Sequence, residues 1–191
     1  MDKKLLILDI DETLLFATSE PLSQKKVDFM VGPYSIYLRP FLYEFLAEAS
    51  QNYRIALWTA SSESYAHRIV EQIFKNRFEL EFIWARKRCT LRFDPIHYEY
   101  FYLKNLKKLK RRGELLEQII MVDNTPRKLM KNYGNLVAIP SFEGESDDEA
   151  LLYLSHYLRI LANASNVRVI DKRGWITKVK NQQADNLAQE K

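Results

Sequence analysis

Four short runs of consecutive apolar residues punctuate the chain: Leu5–Leu8, Ile55–Trp58, Ile119–Val122 and Leu136–Ile139, with Phe82–Trp84 as a weaker fifth. Strands that are apolar at every position are buried on both faces, and such strands belong to parallel sheets covered by helices. The segments between them carry helical signals. Pro40 opens FLYEFLAEAS from the first-turn position that proline tolerates. Ser61 or Ser62 caps a second helix that runs through Val70 to Phe74. Leu103, Leu106 and Leu109 predict a third, Pro126 starts a short fourth, and Ser146 with Glu149 makes a capping box before LLYLSHYL.

Alternating strands and helices predict an α/β fold, a doubly wound and mainly parallel sheet flanked by helices with right-handed crossovers. Two segments break the rhythm. Val27 to Arg39, VDFMVGPYSIYLR, reads as a β-hairpin around Gly32-Pro33, inserted after the first strand. Arg86 to Tyr102 is irregular, aromatic and basic. Residues 1–179 are expected to form one domain, with the polar stretch 180–191 as a flexible tail.

Composition narrows the setting. The chain has 191 residues, 47% of them hydrophobic, which suits one domain with a sizeable core. The formal charge is 29 − 25 = +4, mildly basic, so acidic partners are compatible but not required. A single cysteine, Cys89, rules out an intramolecular disulfide framework and fits a reducing compartment. The apolar run after MDKK is too short for a signal peptide, and no stretch reaches the ~20 apolar residues of a spanning helix. The expectation is a soluble intracellular protein, cytoplasmic, or nuclear if the source is eukaryotic, with no membrane partner.

The chemistry gathers at strand ends. The first run ends on two aspartates, Asp9 and Asp11, separated only by Ile10. Ligands of open α/β sheets sit beyond the carboxyl ends of the strands. Two carboxylates this close repel unless a cation joins them. Oxygen donors in that setting suit Mg²⁺, which uses one or two carboxylates together with water and phosphate. Thr13 follows, with a hydroxyl that can fix the turn. The second run ends in Thr59-Ala60-Ser61, a hydroxyl beside helix-start amides and so a natural phosphate cradle, although a plain helix cap reads the same way. The third ends in Asp123-Asn124-Thr125-Pro126, acidic and amide oxygens suited to the other half of a metal site. It is the coincidence of three such ends on one sheet edge that carries the inference.

Together these residues resemble the haloacid dehalogenase superfamily of phosphotransferases, and within it the small phosphatases related to those of the RNA polymerase II C-terminal domain, the NLI-interacting-factor-like group. The motifs are LDIDETLL (Leu8–Leu15), LWTASSESYA (Leu57–Ala66), YLKNLKKL (Tyr102–Leu109) and MVDNTPRKL (Met121–Leu129), in order. The resemblance implies a Mg²⁺-dependent phosphomonoester hydrolase without a large cap domain. In that scheme Asp9 is the nucleophile that becomes an aspartyl-phosphate. Asp11 is the general acid and then the base. Thr59 holds a phosphate oxygen beside Ala60, and Lys104 neutralises charge on Asp9 and on the phosphoryl group. Asp9, the carbonyl of Asp11, and Asn124 hold Mg²⁺, with Asp123 in support. The chain departs from the pattern at Asn105, where the group usually has Asp, and in a long RFDPIHYEYF segment before Lys104, so Lys107 and Lys108 stay open as the motif lysine.

The implied substrate is a phosphoserine or phosphothreonine protein or peptide, with a small phosphomonoester as the alternative. A catalytically silent interaction module is the rival from another class, but such modules tend to lose the aspartates kept here. KNLKKLKRR (Lys104–Arg112) with Arg86, Lys87, Arg88 and Arg92 reads as a solvated face before it reads as a docking rim. Nucleic acid is not expected as a partner, since no binding motif is present. The aromatic cluster Phe93, Tyr98, Tyr100, Phe101 and Tyr102 could wall the pocket or form satellite core, with Phe16 and Tyr37 as lesser wall candidates. A monomer is expected.

Overall fold

A computed structural model describes residues 3–23, 25–75 and 77–189. In chain order its elements are β1 (Lys4–Leu8), β2 (Leu15–Thr18), β3 (Phe29–Val31), β4 (Tyr34–Leu38), α1 (Leu42–Asn52), β5 (Tyr53–Trp58), α2 (Glu63–Ile73), β6 (Leu80–Trp84), β7 (Thr90–Asp94), β8 (Glu99–Leu103), α3 (Lys107–Lys110), β9 (Ile119–Asp123), β10 (Leu136–Ala138), α4 (Ala150–Ala162) and α5 (Trp175–Gln189). All five apolar runs are strands. They form one parallel sheet in the order β10-β9-β1-β5-β6. The first strand is central, and the chain winds outward from it in both directions, which makes β1 the topological switch point.

The sheet is buried on both faces, as its continuous apolar runs require. Leu6, Leu8, Ile55, Leu57, Ile120 and Val122 face one core with side chains of α1, α2, α4 and α5. Leu5, Ile7, Ala56, Trp58, Ile119 and Met121 face a second, smaller core with Trp84, Leu106, Leu109 and Leu129. Among the described residues, the short α3, 3-10 turns and neighbouring loop residues such as Cys89 cover this second face. Trp58 and Trp84 meet edge to face there at 4.8 Å.

The insertion after β1 is larger than a hairpin. β3 and β4 pair as expected, but β2 joins β4 on its other side, giving a three-stranded antiparallel sheet, β2-β4-β3. Arg39, fully buried, pins the end of this sheet to the start of α4. Its guanidinium bonds both carboxylate oxygens of Asp148 at 2.8 Å and the Thr13 carbonyl at 3.1 Å. Arg86–Tyr102, irregular in sequence, contains the antiparallel pair β7-β8.

Several local expectations change. Pro40 lies before the helix, and Phe41, in left-handed conformation at φ 63°, is the residue at the start of α1. Leu103 ends β8 and does not begin a helix; α3 is a single turn. Asp148, not Ser146 or Glu149, accepts the Ala150 amide at the head of α4. The cap of α2 is Ser62, one of the two serines expected, which accepts from the Tyr65 amide. Pro126 opens a 3-10 turn, Pro126–Leu129. α5 continues through the boundary expected at residue 180, anchored by Trp175, which stacks on Tyr157 at 5.5 Å and donates its indole N–H to the Ala138 carbonyl at 2.6 Å.

Candidate active site

β1 delivers Asp9 to the sheet edge between β5 and β9. The Asp9 amide still bonds Val122, at 3.0 Å, so the residue is held as firmly as the strand. The chain then turns sharply. The backbone amides of Thr13 and Leu14 donate to the Ile10 carbonyl, and Glu12 takes a left-handed φ of 57°. These bonds close the turn, where the sequence suggested the Thr13 hydroxyl; that hydroxyl is buried with no partner among the described residues.

Asp9 and Asp123 are both buried and both contact two lysines. Lys104 Nζ lies 2.9 Å from Asp9 Oδ1 and 2.7 Å from Asp123 Oδ2. Lys128 Nζ lies 2.8 Å from Asp9 Oδ2 and 3.5 Å from Asp123 Oδ1. Backbone N–H groups add to the set: Ile10 donates to Asp9 Oδ1 and Thr125 to Asp123 Oδ1, each at 2.9 Å. The Lys104 amide donates to the Lys128 carbonyl at 2.7 Å, which ties the two lysine-bearing segments together. Leu106 and Leu109, planted in the second core, direct the fully buried Lys104 inward. Lys108 instead bonds the Arg88 carbonyl, and Lys107 is exposed.

The electrostatics of the two carboxylates diverge. Burial would raise Asp9, but the ammonium groups of Lys104 and Lys128 outweigh it and hold its carboxyl down at about 2. Burial and the charge of Asp9 push Asp123 upward against the same two lysines. Lys128 is raised, because the charges of Asp9 and Asp123 overcome the opposing effect of burial. Asp9 is therefore an ionised carboxylate in a water-poor site.

Asp11 faces another set of groups. Its Oδ2 accepts from the Ser61 hydroxyl at 2.6 Å and lies 3.4 Å from Thr59 Oγ1; its Oδ1 accepts from the Tyr65 hydroxyl at 2.6 Å. Thr59, buried at the end of β5, also accepts the Ser61 amide at 2.9 Å. The Ala60 carbonyl accepts from Arg86 Nε at 2.8 Å. A cavity of about 260 Å³ opens here, lined by Asp11, Ser61, Tyr65, Arg86, Glu12 and Tyr34 among others. Tyr34 reaches it from the small antiparallel sheet and packs edge to face on Tyr65 at 6.2 Å. The aromatic walls are thus Tyr34 and Tyr65. Phe16 and Tyr37 stack on each other, and Phe93 and Phe101 of β7 and β8 line a separate cavity of about 420 Å³.

Asn124 is held by Glu12 Oε2 at 2.8 Å and Ser141 Oγ at 3.1 Å through its side-chain amide nitrogen, and its Oδ1 accepts from Thr125 at 3.3 Å. Among the described residues no group of three or more His, Cys, Asp or Glu is placed to hold a metal ion. A divalent cation at Asp9 and Asp123 would therefore draw on two carboxylates, neutral oxygens and water. That donor chemistry fits Mg²⁺ and argues against zinc.

Sequence reasoning passed over Lys128, Tyr65, Ser61 and Glu12 as site residues. All four lay inside quoted motifs, and the serine cap at Ser62 could have flagged the first turn of α2; no sequence signal marked the lysine. Apart from Lys104 and Lys108, the lysines and arginines of the basic segment are exposed, with three of the arginines over aromatic rings. Arg88 lies over Trp84, Arg112 over Phe82 and Trp84, and Arg86 over Tyr102. Among the described residues no helix is long and apolar enough to cross a membrane.

The model of the NLI interacting factor-like phosphatase family matches residues 4–168. CTD small phosphatase-like protein 2 of Dictyostelium discoideum is 32% identical over 169 residues, 85% of this chain and 28% of that protein. CTD nuclear envelope phosphatase 1 homolog of Caenorhabditis elegans is 28% identical over 90% of this chain and 72% of its own length. The fission yeast RNA polymerase II CTD phosphatase Fcp1, bound to beryllium fluoride, superposes over 96% of this chain and 56% of its own with a TM-score of 0.57 at 17% identity. A haloacid dehalogenase-like hydrolase from Xanthomonas campestris gives 0.53 over 85% of this chain and 97% of its own at 12% identity. These two establish the fold. The chain spans little more than a quarter of the first relative.

Proposed function

The chain belongs to the NLI interacting factor-like phosphatase family, and on that premise we propose that it is a Mg²⁺-dependent phosphomonoester hydrolase that works through an aspartyl-phosphate on Asp9. The observation that carries the reading is the contrast in surroundings at the end of β1: Asp9 lies between two ammonium groups, while Asp11, two residues on, is held by the Ser61 and Tyr65 hydroxyls. Nucleophile and general acid need such different surroundings.

A carboxylate oxygen of Asp9 attacks phosphorus while the ester oxygen departs with the proton of the Asp11 carboxyl. Asp11 then takes a proton from water as that water's oxygen attacks the aspartyl-phosphate, releasing inorganic phosphate and restoring Asp9. Hydroxyls both donate and accept, so Ser61 and Tyr65 can hold Asp11 in either protonation form. Lys104 offsets charge on Asp9 and on the phosphoryl oxygens, and Thr59 with the backbone at Ala60 receives one of those oxygens. When bound, Mg²⁺ would be held by Asp9, the Asp11 carbonyl and Asn124, with Asp123 in support, and would supply further charge neutralisation.

The substrate reading is a phosphoserine or phosphothreonine peptide. The cleft beside Asp11 opens between the small antiparallel sheet and the start of α2, with Tyr34 and Tyr65 as walls for flanking residues. Comparing kcat/KM for phosphoserine peptides and for small phosphomonoesters tests this. Peptides should be preferred by tenfold or more, and a preference for the small esters would replace the protein substrate with a metabolite.

A further inference from the structure

Two lysines serve the carboxylate pair, and the mechanism above uses only Lys104. Lys128 enters from the 3-10 turn Pro126–Leu129 and takes the two oxygens that Lys104 does not: Asp9 Oδ2 at 2.8 Å and Asp123 Oδ1 at 3.5 Å. Asp9 Oδ1 already accepts from Lys104 and from the Ile10 amide, so Oδ2 is the oxygen best able to take a new partner. The Lys128 ammonium thus occupies the position of a cation shared by Asp9 and Asp123. A dication on those oxygens and an ammonium in contact with them would bring like charges within a few ångströms, at high cost in a buried site. One of the two lysines can leave. The Lys104 side chain is 0% exposed, whereas that of Lys128 is 20% exposed and carries a long flexible stem.

We propose that Lys128 is an internal cation that exchanges with Mg²⁺: its ammonium holds Asp9 and Asp123 together until the metal enters, and then swings toward solvent. The proposal rests on the metal-dependent reading above and adds to it a residue that sets how strongly this chain holds its metal. The exchange weakens Mg²⁺ binding, because each binding event must break the Lys128 contacts. It also protects the two buried carboxylates from facing each other with a single counter-charge.

The test uses Mg²⁺ alone, with no phosphate, on the full chain. Thermal unfolding is followed across a Mg²⁺ titration for wild type, Lys128→Met and Lys128→Gln. Removing a positive charge from beside the dication should tighten Mg²⁺ binding by about tenfold or more, seen as a larger rise in unfolding midpoint at equal Mg²⁺. Equal Mg²⁺ responses in wild type and variants would overturn the exchange while leaving the metal reading intact; no Mg²⁺ response in any of them would overturn the metal reading itself. A second measurement needs no variant. Reductive methylation of wild type, read by peptide mass spectrometry, should modify Lys128 more with Mg²⁺ than with EDTA, while Lys104 stays protected in both. Labelling of Lys128 that is unchanged or reduced by Mg²⁺ would overturn the proposal.

Discussion

The Tyr65 hydroxyl donates to Asp11 Oδ1 across 2.6 Å, from the first turn of α2 to the turn after β1. Burial and the neighbouring Asp11 charge both raise the tyrosine, so it remains a donor at every working pH. On the proposed reading it aims Asp11, and that sets an expectation with a built-in control. General acid catalysis is worth ~10²–10⁴ where the leaving group is poor. Tyr65→Phe should lower kcat on a phosphoserine peptide by about tenfold or more, and should change turnover of p-nitrophenyl phosphate, whose leaving group needs little protonation, much less. Equal losses on both substrates would assign Tyr65 a structural role instead.

The Asp9 carboxyl sits at about 2, against an ordinary 3.8. A folded-state value below the unfolded one contributes stability that is complete above the unfolded pKa and is lost as pH falls through the folded one. Asp9→Asn removes that titration. The difference in unfolding free energy between wild type and variant should shift against wild type as pH falls from about 5 toward 2. Urea unfolding at a series of pH values measures it. A difference that stays constant through that window would mean Asp9 is not held ionised by its lysines.

Arg39 and Asp148 join the small sheet to α4 through a bidentate pair whose arginine is wholly buried. Removing the buried Arg39 leaves the Thr13 carbonyl and the Asp148 carboxylate, itself 14% exposed, without their partner, which costs ~1–3 kcal/mol. Arg39→Met should therefore lower the unfolding free energy by about that amount in urea, and Arg39→Lys should recover only part of it, since an ammonium cannot reproduce the two-pronged contact. A loss below about 1 kcal/mol would show that the pair contributes little.

The central sheet was legible because strands buried on both faces leave no polar positions to confuse the pattern. Leu5–Leu8 and Ile119–Val122 could hardly be anything else, and their ends located Asp9, Asp11 and Asp123. The segment around Lys104 misled for a physical reason. Leu103, Leu106 and Leu109 keep a helical spacing, but Leu103 is held in β8 by pairing with Thr90, and the other two are core anchors around one turn. The polar composition of α5 hid its helix, because its burial comes from a few side chains such as Trp175 and Val179. Lys128 could not be read at all. A lysine in a non-periodic turn looks like any solvated cation, and its position follows from a tertiary contact between its own carbonyl and the Lys104 amide.

The central claim is that Asp9 is the nucleophile of a metal-dependent phosphatase. Hydrolysis of p-nitrophenyl phosphate by wild type and by Asp9→Asn, each with Mg²⁺ and with EDTA, tests it most directly. The account predicts turnover by wild type with Mg²⁺, its loss in EDTA, and its loss in Asp9→Asn under both conditions. Full turnover by Asp9→Asn, or no turnover by wild type with any divalent metal, would contradict it.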